Sequence, residues 1–288
     1  MAEAKPNIPQ GNDRSRGKPS PCFATALCIA SAILMTAGAC VYHRRSRERM
    51  VGHEGLDDPE IARAFNHIAR MPHMRLLRLF AARRAVQLVR HGEAADLGCG
   101  PGYLVVDLAR QASQLHITGI DLSPEMLREA ETYTHRAGLN DRVSFKLGDV
   151  ERIPFPDQSL DLVVSTLSLH HWGEPVPVLN EVARVLKPGG AFLIFDLRRD
   201  LGALSYLLIW FATRVIVPAP LRRINEPIGS RNAAYTLGEA DELARQSKLA
   251  SYRVTSGPLW LTIEGRCREG DHAICHQRVR LVQLTPDT

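Results

Sequence analysis

Three glycines at alternate positions follow a short apolar run that contains an acidic residue near its end. The run Ala94–Leu97 includes Asp96 and leads directly into Gly98, Gly100 and Gly102. Because glycine has no Cβ, a turn of this composition lets the main chain lie directly against a ligand. The pattern predicts a strand that ends in a ligand-binding turn.

A second acidic residue follows at a spacing typical of nucleoside binding. A strand-like run from His116 to Ile120 ends at Asp121, nineteen residues after Gly102. A carboxylate at the tip of a second strand is placed to accept hydrogen bonds from a ribose diol. Together the glycine turn and this acid indicate a nucleoside cofactor.

Two common phosphate-binding patterns are absent from the sequence. The dinucleotide fingerprint requires a third glycine at the position of Tyr103. The G-x-x-x-x-G-K-[ST] loop of nucleoside triphosphatases does not occur either. Neither a dinucleotide nor a nucleoside triphosphate is therefore indicated.

The glycine turn resembles motif I of the class I S-adenosylmethionine-dependent methyltransferases, in which an acidic residue precedes G-x-G-x-G. Four further segments follow in the order of that family: Gly119–Ser123, Gly148–Val150, Phe155–Ser165 and Arg184–Gly190. The resemblance implies that S-adenosylmethionine is the cofactor.

Carried over residue by residue, the resemblance implies a set of cofactor contacts. The three glycines would pass beneath the methionine and the ribose, and Asp96 would orient the methionine ammonium, directly or through water. Asp121 would hold both ribose hydroxyls, and Asp149 would accept the adenine amino group. The full set of implied cofactor-binding residues is Asp96, Gly98, Cys99, Gly100, Gly102, Asp121, Leu122, Asp149, Val150 and Ser165. The alternative for each acid is an ordinary solvated carboxylate at a strand end, and Cys99 is interpreted as a small apolar filler.

Strands and helices alternate through the middle of the chain. Strands are predicted near 94–97, 116–120, 143–147, 160–165 and 191–196, and helices over 103–111, 124–137 and 175–186. This alternation requires a parallel sheet covered on both faces, with ligands at the carboxyl ends of the strands. Two final runs, Tyr252–Ser256 and Leu259–Gly265, predict an antiparallel pair. We therefore expect an α/β fold that is doubly wound and Rossmann-like, with a mostly parallel seven-stranded sheet and an antiparallel last strand.

The N-terminal part of the chain carries an uncharged apolar segment over residues 21–42. As a helix it would be ~33 Å long at ~1.5 Å per residue, enough for a hydrocarbon core of about 30 Å. Arg44, Arg45, Arg47 and Arg49 follow it. The segment predicts a single transmembrane helix, and the positive-inside rule favours a cytoplasmic catalytic domain. A signal peptide cleaved near Ala37–Ala39 and a buried core helix are the alternatives.

These segments predict the domain organisation. The regions are a disordered polar N-terminus at 1–20, the transmembrane helix at 21–42, a basic linker at 43–56, the methyltransferase domain at 57–265 and a tail at 266–288. The apolar run Leu201–Thr213 is too short to span a bilayer. It is interpreted either as a helix packed on the sheet or as a lid or membrane-facing surface.

Charge and cysteine usage exclude two classes of partner. Residues 1–50 carry eight Lys and Arg against three Asp and Glu, which accounts for the whole net charge of +5. The remaining region has no basic stripe that would follow a nucleic-acid backbone, so nucleic acid is not expected. The six cysteines form no C-x-x-C pair, and the loose cluster of Cys267, His272, Cys275 and His276 fits no zinc pattern. No metal is expected.

Two adjacent histidines follow the fourth strand, at the mouth of the expected site. Methyl transfer to a hydroxyl, a phenol or an activated carbon is assisted by a base, and histidine suits that role. His171 is the preferred candidate and His170 the second. In the alternative interpretation the pair only shapes the pocket, and Trp172 forms a pocket wall.

The predicted function is methyl transfer from S-adenosylmethionine to a small, lipophilic acceptor, at oxygen or carbon, by a membrane-tethered enzyme. Arg184–Phe195 is similar to quinone-biosynthesis C-methyltransferases, but Asp196-Leu197-Arg198 replaces their Glu-x-Ser. The motifs of nucleic-acid amino-methyltransferases and of protein arginine methyltransferases are absent. The alternative is a non-catalytic module, either cofactor-binding or a membrane-tethered adaptor.

Overall fold

A computed structural model of the chain describes residues 49, 59–202, 205, 210, 211, 215–224, 226–267, 282 and 283. The predicted transmembrane segment at 21–42, the polar N-terminus and most of the basic linker and the tail lie outside the described residues. None of the helices in the described ranges combines the length and the apolar character that a bilayer span requires.

Helices and strands alternate as the sequence predicts. Two helices precede the sheet, α1 (Pro59–Ala69) and α2 (Pro72–Leu88). The alternating region consists of β1 (His91–Leu97), α3 (Tyr103–Gln111), β2 (Gln114–Asp121), α4 (Pro124–Ala137), β3 (Val143–Leu147), β4 (Leu160–Thr166), α5 (Pro175–Val185) and β5 (Leu186–Leu197). The last elements are α6 (Ala219–Arg223), α7 (Ile228–Ala233), α8 (Leu237–Gln246), β6 (Tyr252–Ser256), β7 (Trp260–Arg266) and β8 (Val282–Gln283). Short 3-10 turns lie at Val150–Arg152 and Leu169–His171.

Local capping explains where two of the helices begin, α4 at its predicted residue and α8. Ser123 accepts a hydrogen bond from the Met126 amide at 3.3 Å, and Pro124 occupies the first position of α4. At α8, Thr236 and Glu239 form a reciprocal capping box. These side chains satisfy amides that have no partner inside the helix, so the start of each helix is fixed locally.

The strands form one sheet in the order β3-β2-β1-β4-β5-β7-β6-β8. Strands β1 to β5 are parallel, and β7 is antiparallel to both β5 and β6. The seven-stranded, mostly parallel Rossmann-like sheet is therefore confirmed. The two-residue strand β8 pairs in parallel with β6 and adds an eighth strand that the sequence did not predict. Two residues are too few to give the alternation from which a strand is recognised.

Strand β5 begins five residues earlier than predicted. Its first residue, Leu186, pairs with Leu160 of β4, and Gly189 and Gly190 exchange hydrogen bonds with Cys267 at 2.6 and 2.8 Å. Pairing with a strand far along the chain has no local sequence signature, and this is why the boundary was wrong.

Apolar side chains cover both faces of the sheet. One buried cluster includes Leu97, Leu160 and Phe192, and the other includes Leu104, Leu162 and Phe195. Burial on both faces is expected for central parallel strands. Because β1, β2, β4 and β5 run parallel, their carboxyl ends lie at the same edge of the sheet.

Candidate active site

The glycine turn between β1 and α3 has a backbone that disfavours side chains. Gly98, Gly100 and Gly102 have φ angles of 67°, 50° and 73°. A Cβ on Gly98 would lie 2.1 Å from Ser168 Oγ, and one on Gly102 would lie 2.9 Å from Ala130 Cβ. The turn therefore needs glycine for conformation and for space. Its contact with Ser168 places it directly beside the turn that follows β4.

The structure brings Asp121 to the glycine turn, as predicted. Its carboxylate accepts hydrogen bonds from the Gly100 amide at 2.8 Å and the Ser123 amide at 2.9 Å. Burial raises the pKa of Asp121, and the bonds from backbone amides, Ser123 first, oppose that rise. Leu122, which is 66% exposed, lies next to it. An apolar surface and a carboxylate thus stand side by side at the tip of β2.

Asp96 is a buried carboxylate without a hydrogen-bond partner among the described residues. It is 1% exposed, and neither carboxylate oxygen has a partner. Burial, and next the charge of Asp121, raise its pKa well above its usual range. A buried ionised group is costly unless a cation compensates it. The ammonium group of S-adenosylmethionine would be such a cation, so this residue fits the implied cofactor.

Cys99 and Ser165 lie inside the fold rather than on an open surface. Burial raises the pKa of the Cys99 thiol well above its usual range, so it remains protonated and weakly nucleophilic. A Cβ on Gly119 would lie 2.7 Å from Cys99 Sγ, which agrees with the interpretation of this cysteine as a filler. Ser165 is fully buried and donates its hydroxyl hydrogen to the Leu97 carbonyl at 2.8 Å. It therefore ties β4 to β1.

Asp149 lies on the same edge of the sheet as Asp121. The Gly148 amide donates to the Asp121 carbonyl at 3.0 Å, and this bond connects the two segments. Asp149 is exposed, and one carboxylate oxygen accepts a hydrogen bond from the Glu151 amide at 2.9 Å. Val150 is buried beneath it. The adenine contacts of these two residues remain predictions.

Helix α1 is tied to the first residue of α3, immediately after the glycine turn. The Arg70 Nε donates to the Tyr103 hydroxyl at 2.5 Å, and that hydroxyl donates to Asn66 Oδ1. The Arg78 guanidinium lies 4.9 Å from the centre of the Tyr103 ring. These contacts anchor the N-terminal helices beside the turn, and the sequence analysis did not identify them.

His170 is held by Asp196, a residue that was not among the predicted site residues. Asp196 Oδ2 accepts a bond from the His170 amide at 2.8 Å, and Asp196 Oδ1 lies 2.7 Å from His170 Nδ1. The Leu197 amide donates to Asp196 Oδ1 at 2.6 Å. Both side chains are almost completely buried. An acid near the carboxyl end of β5 is the feature that identifies this residue, because Asp96 and Asp121 occupy matching places on β1 and β2.

His171 differs from His170 in its surroundings. Its ring centre lies 3.9 Å from that of His170, and part of the residue is exposed. Burial of the ring away from water, and next the charge of His170, lower the pKa of His171 from 6.5 to about 3. His171 is therefore neutral near pH 7 but only a weak base.

The turn that carries both histidines adopts an unusual backbone conformation. Leu167 has a φ angle of 55°, which is strained for a bulky residue, and its amide donates to the Phe195 carbonyl at 2.8 Å. Trp172 Nε1 donates to Ser168 Oγ at 3.0 Å. Trp172 is buried in the core, so the structure does not place it as the predicted pocket wall.

A polar layer from the C-terminal part of the chain packs beside this turn. Glu226 is 4% exposed and accepts a bond from the Ser230 amide at 3.0 Å. Burial raises the pKa of Glu226, while the hydrogen bonds from Ser230 and then the charge of His170 oppose that rise. Burial lowers the pKa of Arg231 to about 10, and its Nη2 donates to the Arg199 carbonyl at 2.8 Å. No motif in the sequence predicts this layer, because its members meet only in the folded chain.

Within the described residues, no group of three or more His, Cys, Asp or Glu side chains is arranged to hold a metal ion. The site contains instead the glycine turn, two carboxylates at strand tips and a buried carboxylate–histidine pair. This arrangement can bind a nucleoside with a cationic group and accept a proton nearby.

A family model described as a methyltransferase domain matches residues 95–194. The chain is 37% identical over 101 residues to 27-O-demethylrifamycin SV methyltransferase of Amycolatopsis mediterranei, a match that covers 35% of this chain and 37% of that protein. It is 32% identical over 123 residues to sterol 24-C-methyltransferase ERG6B of Gibberella zeae, covering 39% of this chain and 32% of that protein. The match thus spans about a third of the length of these two relatives.

A solved structure extends the likeness beyond the matched region. The plantazolicin methyltransferase BamL, crystallised with a triazolic desmethylPZN analog and SAH, superposes with a TM-score of 0.62. The superposition covers 80% of this chain and 99% of that protein at 14% identity. At this identity the likeness shows a shared fold. The α/β architecture therefore extends well past residues 95–194.

Proposed function

We propose, from the methyltransferase-domain match over residues 95–194, that this chain is a class I S-adenosylmethionine-dependent methyltransferase and methylates a small, lipophilic acceptor at oxygen or carbon. The observation that carries the proposal is the buried pair of Asp196 and His170 beside the glycine turn. A module that only binds the cofactor has no need of an oriented base at this position.

The cofactor supplies, when bound, a methyl group on a positively charged sulfur. Asp96, Asp121 and the glycine turn would hold it, and the packing of the turn against Ser168 brings the cofactor side next to the histidine turn. The new bond forms between the acceptor atom and the methyl carbon. The carbon–sulfur bond breaks and its electron pair stays on sulfur. Holding the reactants in line is the main contribution of such a site.

His170 is the base in this proposal, in preference to His171. A hydrogen on Nδ1 donated to Asp196 leaves the basic lone pair on Nε2. Nε2 would take the proton of the acceptor, and Asp196 would stabilise the imidazolium that forms. The pKa of His171, about 3, makes it a poor proton acceptor near neutral pH.

The lipophilic acceptor is supported by exposed apolar side chains and by the relatives. The described residues expose the large apolar side chains Leu76, Phe80, Leu122, Leu147, Trp210, Phe211, Val215, Ile216 and Leu259. The names of two relatives specify a rifamycin and a sterol as acceptors, which are largely apolar molecules. Apolar surface rimmed by polar residues is typical of sites that bind such molecules or membranes.

The membrane tether is a separate part of the proposal. It rests on the uncharged segment at 21–42 and the arginines that follow it. We expect the full-length chain to stay in the membrane fraction after an alkaline carbonate wash, and a chain lacking residues 1–45 to be released. Release of the full-length chain would contradict the tether without affecting the assignment of the enzyme.

Methyl transfer is tested with the full-length chain and radiolabelled S-adenosylmethionine. One panel contains phenols, hydroquinones and sterols, and a second contains polar amines and carboxylates. We expect label in organic-soluble products from the first panel, and a loss of about 10²- to 10⁴-fold in His170→Gln, as for removal of a general base. His171→Gln is the matched control and should retain most of the activity.

Three outcomes would contradict the proposal at different points. Label on polar acceptors alone would overturn the lipophilic acceptor. Full activity in His170→Gln would overturn the assignment of the base. Micromolar binding of S-adenosylmethionine by calorimetry with no transfer to either panel would favour the non-catalytic module.

A further inference from the structure

An arginine from the N-terminal segment contacts the histidine turn directly. Arg49 Nη2 donates to the His170 carbonyl at 3.2 Å, and Arg49 Nε donates to the Ala233 carbonyl at 2.8 Å. Its guanidinium carbon lies 4.3 Å from the centre of the Tyr235 ring. One planar side chain thus links the N-terminal segment to the His170 turn and to residues 233–235.

Each of these contacts has a structural reason. Ala233 is the last residue of α7, and carbonyls at a helix end lack partners within the helix. Tyr235 is 6% exposed and its carbonyl accepts a bond from the Arg199 amide at 3.1 Å, so the ring is a fixed surface. Arginine can stack on an aromatic ring while its fork of donors reaches two carbonyls.

The contact to His170 is made through the main chain. Asp196 already holds the His170 amide and ring, and Arg49 holds the carbonyl of the same residue. The histidine is therefore restrained from both sides of its backbone. Without Arg49, Asp196 would still orient the ring, but the turn and α7 would lose the hydrogen bonds that Arg49 makes to both.

We infer that Arg49 is a positioning residue that fixes the His170 turn against α7 and so sets the place of the imidazole relative to the acceptor. This inference rests on the proposed function of His170. In this inference Arg49 is part of the site, whereas its position in the sequence indicates only a basic residue that flanks the predicted transmembrane helix.

Three variants of the full-length chain separate geometry from charge. Arg49→Gln removes the charge and the fork. Arg49→Lys keeps the charge but offers neither the planar face nor the two spaced donors. Arg63→Gln removes an exposed arginine of α1 and is the matched control for net charge.

Amide hydrogen exchange tests the contact without any acceptor. We expect exchange in 169–172 and 228–235 to become roughly tenfold faster in Arg49→Gln and in Arg49→Lys, since a restraint on local opening is lost. Arg63→Gln should match the wild type. The dissociation constant of S-adenosylmethionine should change less than about twofold in all three, because the glycine turn is untouched. Exchange at the wild-type rate in Arg49→Gln would overturn the inference.

Turnover then tests positioning. With any acceptor found in the panels, both Arg49 variants should lower kcat at least roughly tenfold and leave KM for S-adenosylmethionine unchanged, as expected when reacting groups are misplaced. Faster exchange with wild-type kcat would show a structural contact only and would overturn the positioning role. Failure of the proposed function gives a different result. In that case the wild-type chain yields no product from either panel, whatever the exchange rates at 169–172 in the variants.

Discussion

The carboxylate of Asp196 bonds to His170 twice, at its backbone amide and at its ring Nδ1, over 2.8 and 2.7 Å. A single acidic residue at the end of β5 thus fixes both the main chain and the ring orientation of the histidine. The bond between backbone and carboxylate makes the pair rigid before any ligand binds. This relationship distinguishes His170 from its neighbour His171 more clearly than the sequence does.

Asp196→Asn tests whether ring orientation matters for turnover. The side-chain oxygen of asparagine can still accept the bond from the His170 backbone amide, and its NH₂ group then faces Nδ1. The ring hydrogen is then expected on Nε2 instead of Nδ1. We expect kcat to fall by about 10²-fold or more, with the affinity for S-adenosylmethionine within about twofold of the wild type. The nitrogen-15 signals of His170 report the change of tautomer directly. An altered tautomer with unchanged kcat would contradict the role of His170 as base.

Asp121→Ala tests the ribose contact. The lost charge-assisted hydrogen bonds are worth roughly 1.5–3 kcal/mol, or about 10- to 100-fold in affinity for S-adenosylmethionine. Calorimetry with the full-length chain measures the change. Asp141→Ala, which removes an exposed carboxylate before β3, is the matched control. A change below about twofold in Asp121→Ala would show that the ribose assignment is wrong.

Asp96→Asn is expected to strengthen the cofactor-free fold and to weaken cofactor binding. Burial raises the pKa of Asp96 in the folded state above its usual value near 3.8. The folded chain therefore holds this proton more tightly than the unfolded chain, and the contribution of Asp96 to stability is lost as pH rises through the folded-state pKa. At neutral pH the neutral amide removes a cost of about 1–3 kcal/mol, which corresponds to a rise in Tm of roughly 3–10 °C.

Binding measures the second half of this prediction. The amide cannot neutralise an ammonium, so we expect the affinity for S-adenosylmethionine to fall about 10- to 100-fold in Asp96→Asn. A rise in Tm together with a loss of affinity for S-adenosylmethionine would show that Asp96 serves ligand binding and lowers the stability of the cofactor-free fold. A lower Tm together with unchanged affinity would contradict the ammonium assignment.

Most of the fold could be predicted from local sequence, because the signals that define it are local. The cap at Ser123 and the glycine turn at Gly98–Gly102 fix their elements within a few residues, and α4 begins where the sequence predicts. The start of β5 depends on pairing with Leu160 and Cys267, and β8 depends on pairing with β6, so that information lies elsewhere in the chain. Features set by neighbouring residues, such as helix starts and the glycine turn, are predicted from the sequence. Strand ends set by pairing with distant segments are not.

The candidate site divides in the same way. The cofactor side lies on consecutive strand ends, so the spacing of Asp96 and Asp121 sufficed to predict that they meet. The proposed acceptor side consists of Arg49, His170, Asp196 and Glu226, which lie on four separate segments. The bonds of His170 to Asp196 and to Arg49 span 26 and 121 positions of sequence, and no spacing rule relates them. This is why the sequence favoured His171, whereas the geometry favours His170.

His171 should make the fold sensitive to moderate acid. The pKa of His171 is about 3 in the folded chain, and it is 6.5 when the ring has no interactions, as in the unfolded chain. Between these values the unfolded chain binds the proton and the folded chain does not. The stability that depends on neutral His171 is therefore fully present above about pH 6.5 and is lost as pH falls toward 3. Partial exposure of the side chain screens the effect and reduces its size.

His171→Gln removes this titration and keeps a polar side chain of similar length. We expect the urea midpoints of wild type and variant to converge or cross as pH falls from 7 to 4, with the wild type losing more stability over that range. The difference between the two chains cancels every other group that titrates in the same window. Parallel curves over the whole range would mean that His171 is solvated like an ordinary surface histidine. His170 would then no longer be favoured over it by basicity, and the choice between them would rest on the contact with Asp196 alone.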